Sequence, residues 1–140
     1  MVQLYFLSII CNGFAAYILF ARDDWESEPL EAGMKFSLQN EIVRLVLGIF
    51  TAIIGFLKLL LPYTDTKGIP ILGDFLPALA GLAAGFVLVF GYYREHVKVI
   101  DQEGKLDRIG DGFLRWKKSL GFALMLVSLM HFLFPQALFL

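Results

Sequence analysis

Apolar positions run through the chain in four long blocks, at about residues 2–21, 42–61, 73–93 and 119–136, separated by stretches in which charged residues collect. Each block is long enough to cross a hydrocarbon core about 30 Å thick at about 1.5 Å rise per residue. A segment surrounded by lipid must satisfy its backbone groups internally, so each block is expected to be a helix. The pattern predicts an all-α protein, a bundle of four antiparallel transmembrane helices forming one domain over residues 1–140. The first block carries no basic start and no small-residue cleavage site, so it is expected to stay in place as a helix.

Within the blocks, the small and polar residues fall on stripes. In the second, Arg44, Gly48, Thr51, Gly55, Lys58 and Pro62 follow one another at steps of four, three, four, three and four. On a helix these stay within a band of roughly 80°, while the rest of the circumference is Leu, Ile, Val and Phe. Such a face is expected to pack on another helix or to line a wet crevice. The third block repeats the pattern with Asp74, Ala78, Gly81, Gly85 and Tyr92, and Gly81-x-x-x-Gly85 is a close-approach motif. In the fourth, Gly121, Ser128, His131 and Pro135 share a face, and Pro135 withholds a donor from the carbonyl of His131. Asn12 lies near the middle of the first block, where an unpaired amide is costly, so it is expected to bridge helices. The packing set is thus Asn12, Gly48, Thr51, Gly55, Gly81, Gly85 and Ser128.

Charge sets the orientation. The segments 22–41 and 94–118 hold most of the Lys and Arg, whereas the turn between the second and third blocks has only Lys67. The positive-inside rule therefore makes these two loops cytoplasmic and puts both termini outside, in the cell (inner) membrane. A short interfacial helix is expected around residues 30–38 and a small hairpin around Gln102, Glu103 and Gly104. The composition agrees: 58% of residues are hydrophobic and 18% charged, and mean hydropathy is +0.69. With 12 Lys and Arg against 13 Asp and Glu there is no basic field for nucleic acid. Cys11 is the one cysteine of the chain, which excludes an internal disulfide.

Two polar groups emerge at opposite ends of the spans. Toward the outside, Lys58 and Asp74 come to one level across a short turn and are expected to pair. His131 and Tyr5 reach a similar depth, so Tyr5, Lys58, Asp74 and His131 form the candidate outer site. A histidine there can exchange a proton, bind a quinone carbonyl or donate to a backbone oxygen. Toward the cytoplasm, Glu41, Arg44 and Glu95 form a second, anchoring cluster. No metal set is expected: His-Glu-x-x-His is absent, Lys105 interrupts Asp101, Glu103 and Asp107, and His96 with His131 is too few.

The second block, RLVLGIFTAIIGFLKLL at residues 44–60, resembles the Arg, Gly and Gly-x-x-Lys-Leu helix of the DoxX-like membrane proteins. Those are small four-helix proteins, some associated with thiosulfate and quinone redox chemistry. The resemblance implies a similar bundle, and it singles out Arg44, Gly48, Gly55 and Lys58.

The leading expectation is a non-catalytic accessory or structural subunit, held in the bilayer and docked on a membrane partner or on further copies of itself through its small-residue faces and outlying aromatics. The chain carries no soluble catalytic domain and no cofactor motif, so it is not expected to be an enzyme and needs no cofactor on this reading. The alternatives are a DoxX-like redox-associated or quinone-binding protein that uses the outer site, and a small oligomeric transporter or channel.

Overall fold

The computed structural model describes residues 2–21, 40–60, 75–96 and 104–134, which are helical apart from short links. Among these described residues five helices follow in order: α1 (Val2–Ala21), α2 (Glu41–Leu60), α3 (Phe75–His96), α4 (Lys105–Arg115) and α5 (Lys117–Leu133). Three of them, α1, α2 and α3, are long and apolar enough to cross a membrane. With 17 residues, α5 is shorter than the fourth block, because the chain leaves the helix at Phe134, just before Pro135.

Local chemistry accounts for the helix ends. Asn40 opens α2 by accepting the Ile42 N–H on its side-chain oxygen at 3.0 Å, as an N-cap does. Pro77 lies in the first turn of α3, where its missing N–H costs no helix bond. At the start of α4 the Asp107 carboxylate accepts the Gly104 N–H at 3.0 Å. One residue, Trp116, links α4 to α5.

The helices associate as two close pairs. On the α2–α3 seam, a Cβ added at Gly48 would lie 2.8 Å from the Leu88 Cβ, and one at Gly55 would lie 2.7 Å from the Ala78 carbonyl oxygen. The order of these contacts shows that the two helices run in opposite directions. On the α1–α5 seam, Gly121 meets Leu19 and Ala16, and the Ser128 hydroxyl donates to the Ile9 carbonyl at 3.0 Å, so this pair is antiparallel as well. Asn12 joins the pairs: its amide donates to the Pro77 carbonyl at 3.2 Å, and its oxygen occupies the space left by Gly81.

The interior is divided along its length. Ala15, Ala16, Ile18, Leu19, Ala84, Val87, Leu88 and Leu124 make an apolar core at one end. Ser8, Asn12, Thr51, Lys58, Ser128 and His131 are buried toward the other.

One expectation changes: the turn of the expected hairpin, at Gln102 and Glu103, lies outside the described residues, but residues 94–96, 105–115 and 117–118 are helical and not loop, with α3 continuing to His96, α4 starting immediately after Gly104 and α5 beginning at Lys117. The reason is an apolar stripe at Leu106, Ile109 and Phe113 that follows helical spacing beneath the charges. Thr51 is buried on the inward face of α2, and its hydroxyl donates to the Leu47 carbonyl of its own helix at 2.7 Å. The expected interfacial helix at 30–38 lies outside the described residues.

Candidate functional site

At the polar end of the interior, α1, α2 and α5 converge on Lys58. Its ammonium lies 2.9 Å from His131 Nε2, and the two residues keep only 4% and 2% of their surface exposed. Lys58 reaches this point because the Gly48–Thr51–Gly55–Lys58 face of α2 turns inward along its whole length. Tyr5 closes the group: its hydroxyl donates to the His131 carbonyl, its ring lies 4.7 Å from the imidazole, centroid to centroid, and the Lys58 nitrogen is 5.5 Å from its ring centroid. Ser8 is buried one turn further along α1. Three of the four residues expected in the outer site, Tyr5, Lys58 and His131, are thus brought together. Asp74 lies outside the described residues.

An ammonium has donors and no acceptor, so with Lys58 protonated it donates and Nε2 accepts, which puts the imidazole proton on Nδ1. Desolvating an ammonium is expensive, and this cluster offsets part of the cost with an imidazole acceptor and the negative face of an aromatic ring. The group therefore presents a cationic donor, a neutral imidazole and a flat phenol ring within an apolar wall. That set suits a carbonyl or anionic oxygen on a lipid-soluble molecule. Among the described residues, no three of His, Cys, Asp and Glu gather into a set able to hold a metal ion.

The opposite end carries the second cluster. Arg44 donates to the Glu95 carboxylate at 2.7 Å, with side-chain exposures of 4% and 18%. Glu41 lies 3.4 Å from His96 Nε2, and His96 Nδ1 is 2.9 Å from the Tyr92 carbonyl, to which it can only donate. All three expected anchor residues are therefore at this end, and each joins α2 to α3. Replacing Glu95 with Gln leaves the inward Arg44 guanidinium facing a neutral amide and is expected to cost about 2 kcal/mol. A lowered thermal midpoint in detergent, with the helical signal unchanged, checks this.

One polar contact has no counterpart among the residues the sequence singles out. Arg94 forms a two-pronged salt bridge with Asp111 of α4, its Nε donating at 2.9 Å. The two residues are 17 positions apart across a connection, so periodicity within a single block gives no sign of the pair.

The small-residue positions are all used inside the protein. Gly48, Gly55 and Gly85 let α2 and α3 touch backbone to backbone, Gly81 accommodates Asn12, and Ser128 holds α5 to α1. What faces outward is bulky and apolar: Ile42, Val46, Ile49, Phe50, Ile53 and Phe56 on α2 are all exposed.

A sequence-family model of uncharacterized proteins matches residues 1–131. The chain belongs to that family. An uncharacterized protein of Treponema pallidum (strain Nichols) is 27% identical over 140 residues, which is all of this chain and all of the relative. No solved structure matches.

Proposed function

We propose that the protein is a small integral-membrane binding protein whose working site is the Tyr5, Lys58 and His131 cluster. Four helices, α1, α2, α3 and α5, span the bilayer. Both termini lie outside, and the segments 22–41 and 94–118 lie at the cytoplasmic face of the cell membrane. The observation that carries this reading is the buried 2.9 Å contact between Lys58 and His131 at the polar end of the interior. An ionisable pair held inside a membrane protein is costly to keep, and such groups mark ligand and ion sites.

The ligand class follows from the donors. A quinone offers a ring carbonyl to the Lys58 ammonium and a flat face to Tyr5, in keeping with the DoxX-like resemblance of residues 44–60. When bound, a quinone would supply electron and proton transfer, and the chain's own part would be to hold and orient it.

Equilibrium binding of a short-chain quinone to the protein in lipid nanodiscs tests this. Saturable binding is expected for the wild type, and Lys58→Met or His131→Phe should weaken it by about tenfold or more, the equivalent of one lost charge-assisted hydrogen bond. Gly112→Ala, on an open face of α4, should bind as the wild type does. Absence of saturable binding by the wild type contradicts the quinone reading.

The accessory-subunit reading retains one supporting observation, the apolar outer face of α2. It loses the docking role of the glycine faces, since those are occupied within the bundle. A membrane-protein partner on that outer face would co-purify at fixed stoichiometry.

A further inference from the structure

We propose that α4 is an interfacial helix, sunk into the lipid leaflet at the Arg44–Glu95 end of the bundle and lying along its acyl–headgroup boundary. The proposal rests on the membrane-embedded reading above and adds a surface that reading does not require.

Three observations on α4 lead to the bilayer as its occupant. The first is its apolar face: Leu106, Ile109 and Phe113 fall within a band of about 60° on the helix, and Trp116 follows three residues later. Leu106, Ile109 and Trp116 are 64%, 56% and 68% exposed. The second is depth. Gly110 packs against the Phe90 ring, the Phe113 and Phe86 rings meet edge to face at 5.7 Å, and Arg94 holds Asp111. These contacts run down the flank of α3 from Arg94 to Phe86, eight residues or about 12 Å along the helix. Thus α4 rests through residues 110–113 against the flank of a helix apolar enough to cross the membrane, as an interfacial helix sunk about 5–10 Å would.

The third observation is charge. Both acids of α4 are engaged within the protein, Asp107 with the Gly104 N–H and Asp111 with Arg94. Lys105 is exposed at the edge of the apolar stripe, and Arg108 and Arg115 are exposed further round the helix. An apolar stripe bordered by exposed cations complements a leaflet containing anionic phosphates. The one-residue link through Trp116 ties this placement to the start of α5.

Single-tryptophan variants test the placement. With Trp25→Phe, Trp116 is the sole tryptophan, and the protein is reconstituted in vesicles of phosphatidylcholine and phosphatidylglycerol. The phosphatidylcholine is brominated either near the headgroup end of its acyl chains or near their tips. Trp116 emission should fall about twofold with the shallow bromines and little with the deep ones. In a second variant, Trp25→Phe with Trp116→Phe and Phe50→Trp, the probe lies on the exposed mid-face of α2 and should be quenched by the deep bromines. If Phe50→Trp is quenched but Trp116 is not, the interfacial helix is overturned, whether Trp116 proves open to aqueous iodide or covered by a second copy of the chain. If neither is quenched, the membrane-embedded reading itself fails.

Discussion

Gly85→Ala is expected to destabilise the protein by about 3 kcal/mol, the upper part of the usual range for overpacking a filled interior. A Cβ at this position would lie 2.6 Å from the Gly48 carbonyl oxygen, 2.7 Å from the Ala52 nitrogen and 2.8 Å from the Ala52 Cβ. Two of these three atoms are backbone, so no rotamer change relieves the contact and the α2–α3 seam must open. Opening it shifts the whole inward face of α2, Lys58 included. Gly112→Ala is the matched control: nothing lies within 4 Å of its added Cβ. There the better helix former should add about 0.5–1 kcal/mol of stability. Denaturation midpoints of both variants in the same detergent check the contrast, and equal midpoints would mean that the α2–α3 seam is not as close as described.

The second large effect belongs to the Lys58 contact, and it is asymmetric. His131→Ala removes the acceptor 2.9 Å from the Lys58 ammonium and opens a cavity behind Tyr5, at an expected cost of about 3–5 kcal/mol. Lys58→Met exchanges the ammonium for an apolar chain of similar length and removes the desolvation cost with it, so its stability should stay within about 1 kcal/mol of the wild type. The same Lys58→Met change should weaken ligand binding by about tenfold or more. Loss of binding without loss of stability separates a residue kept for a ligand from one kept for packing. If Lys58→Met destabilises as strongly as His131→Ala, Lys58 serves the fold.

Much of the site can be read from spacing, because a helix imposes a strict period. The steps of four and three from Arg44 through Gly48, Thr51, Gly55 and Lys58 put all five on one inward face, and all five are buried. Tyr5 and His131 could be matched in depth with Lys58 by counting residues along antiparallel helices. Counting could not supply the details of contact: that the Tyr5 hydroxyl meets the His131 backbone, and that Thr51 turns back on Leu47. Those depend on side-chain rotamers and helix rotation. Helix α4 is obscured in the sequence for another reason. Across residues 94–118 the charges lower the average hydrophobicity, and only the separate positions of Leu106, Ile109 and Phe113 betray a helix with two unlike faces. Its Arg94–Asp111 clasp is a long-range pairing that a single sequence does not encode by period.

The most direct test of the central claim, that the Lys58–His131 cluster is a ligand site within a membrane bundle, is native mass spectrometry of the protein after gentle extraction from its own membrane, for wild type and Lys58→Met side by side. The expected result is a wild-type protein, monomeric or homo-oligomeric, carrying a lipid-soluble small molecule that Lys58→Met lacks. A fixed set of companion proteins, retained equally by both forms with no such molecule attached, would contradict it.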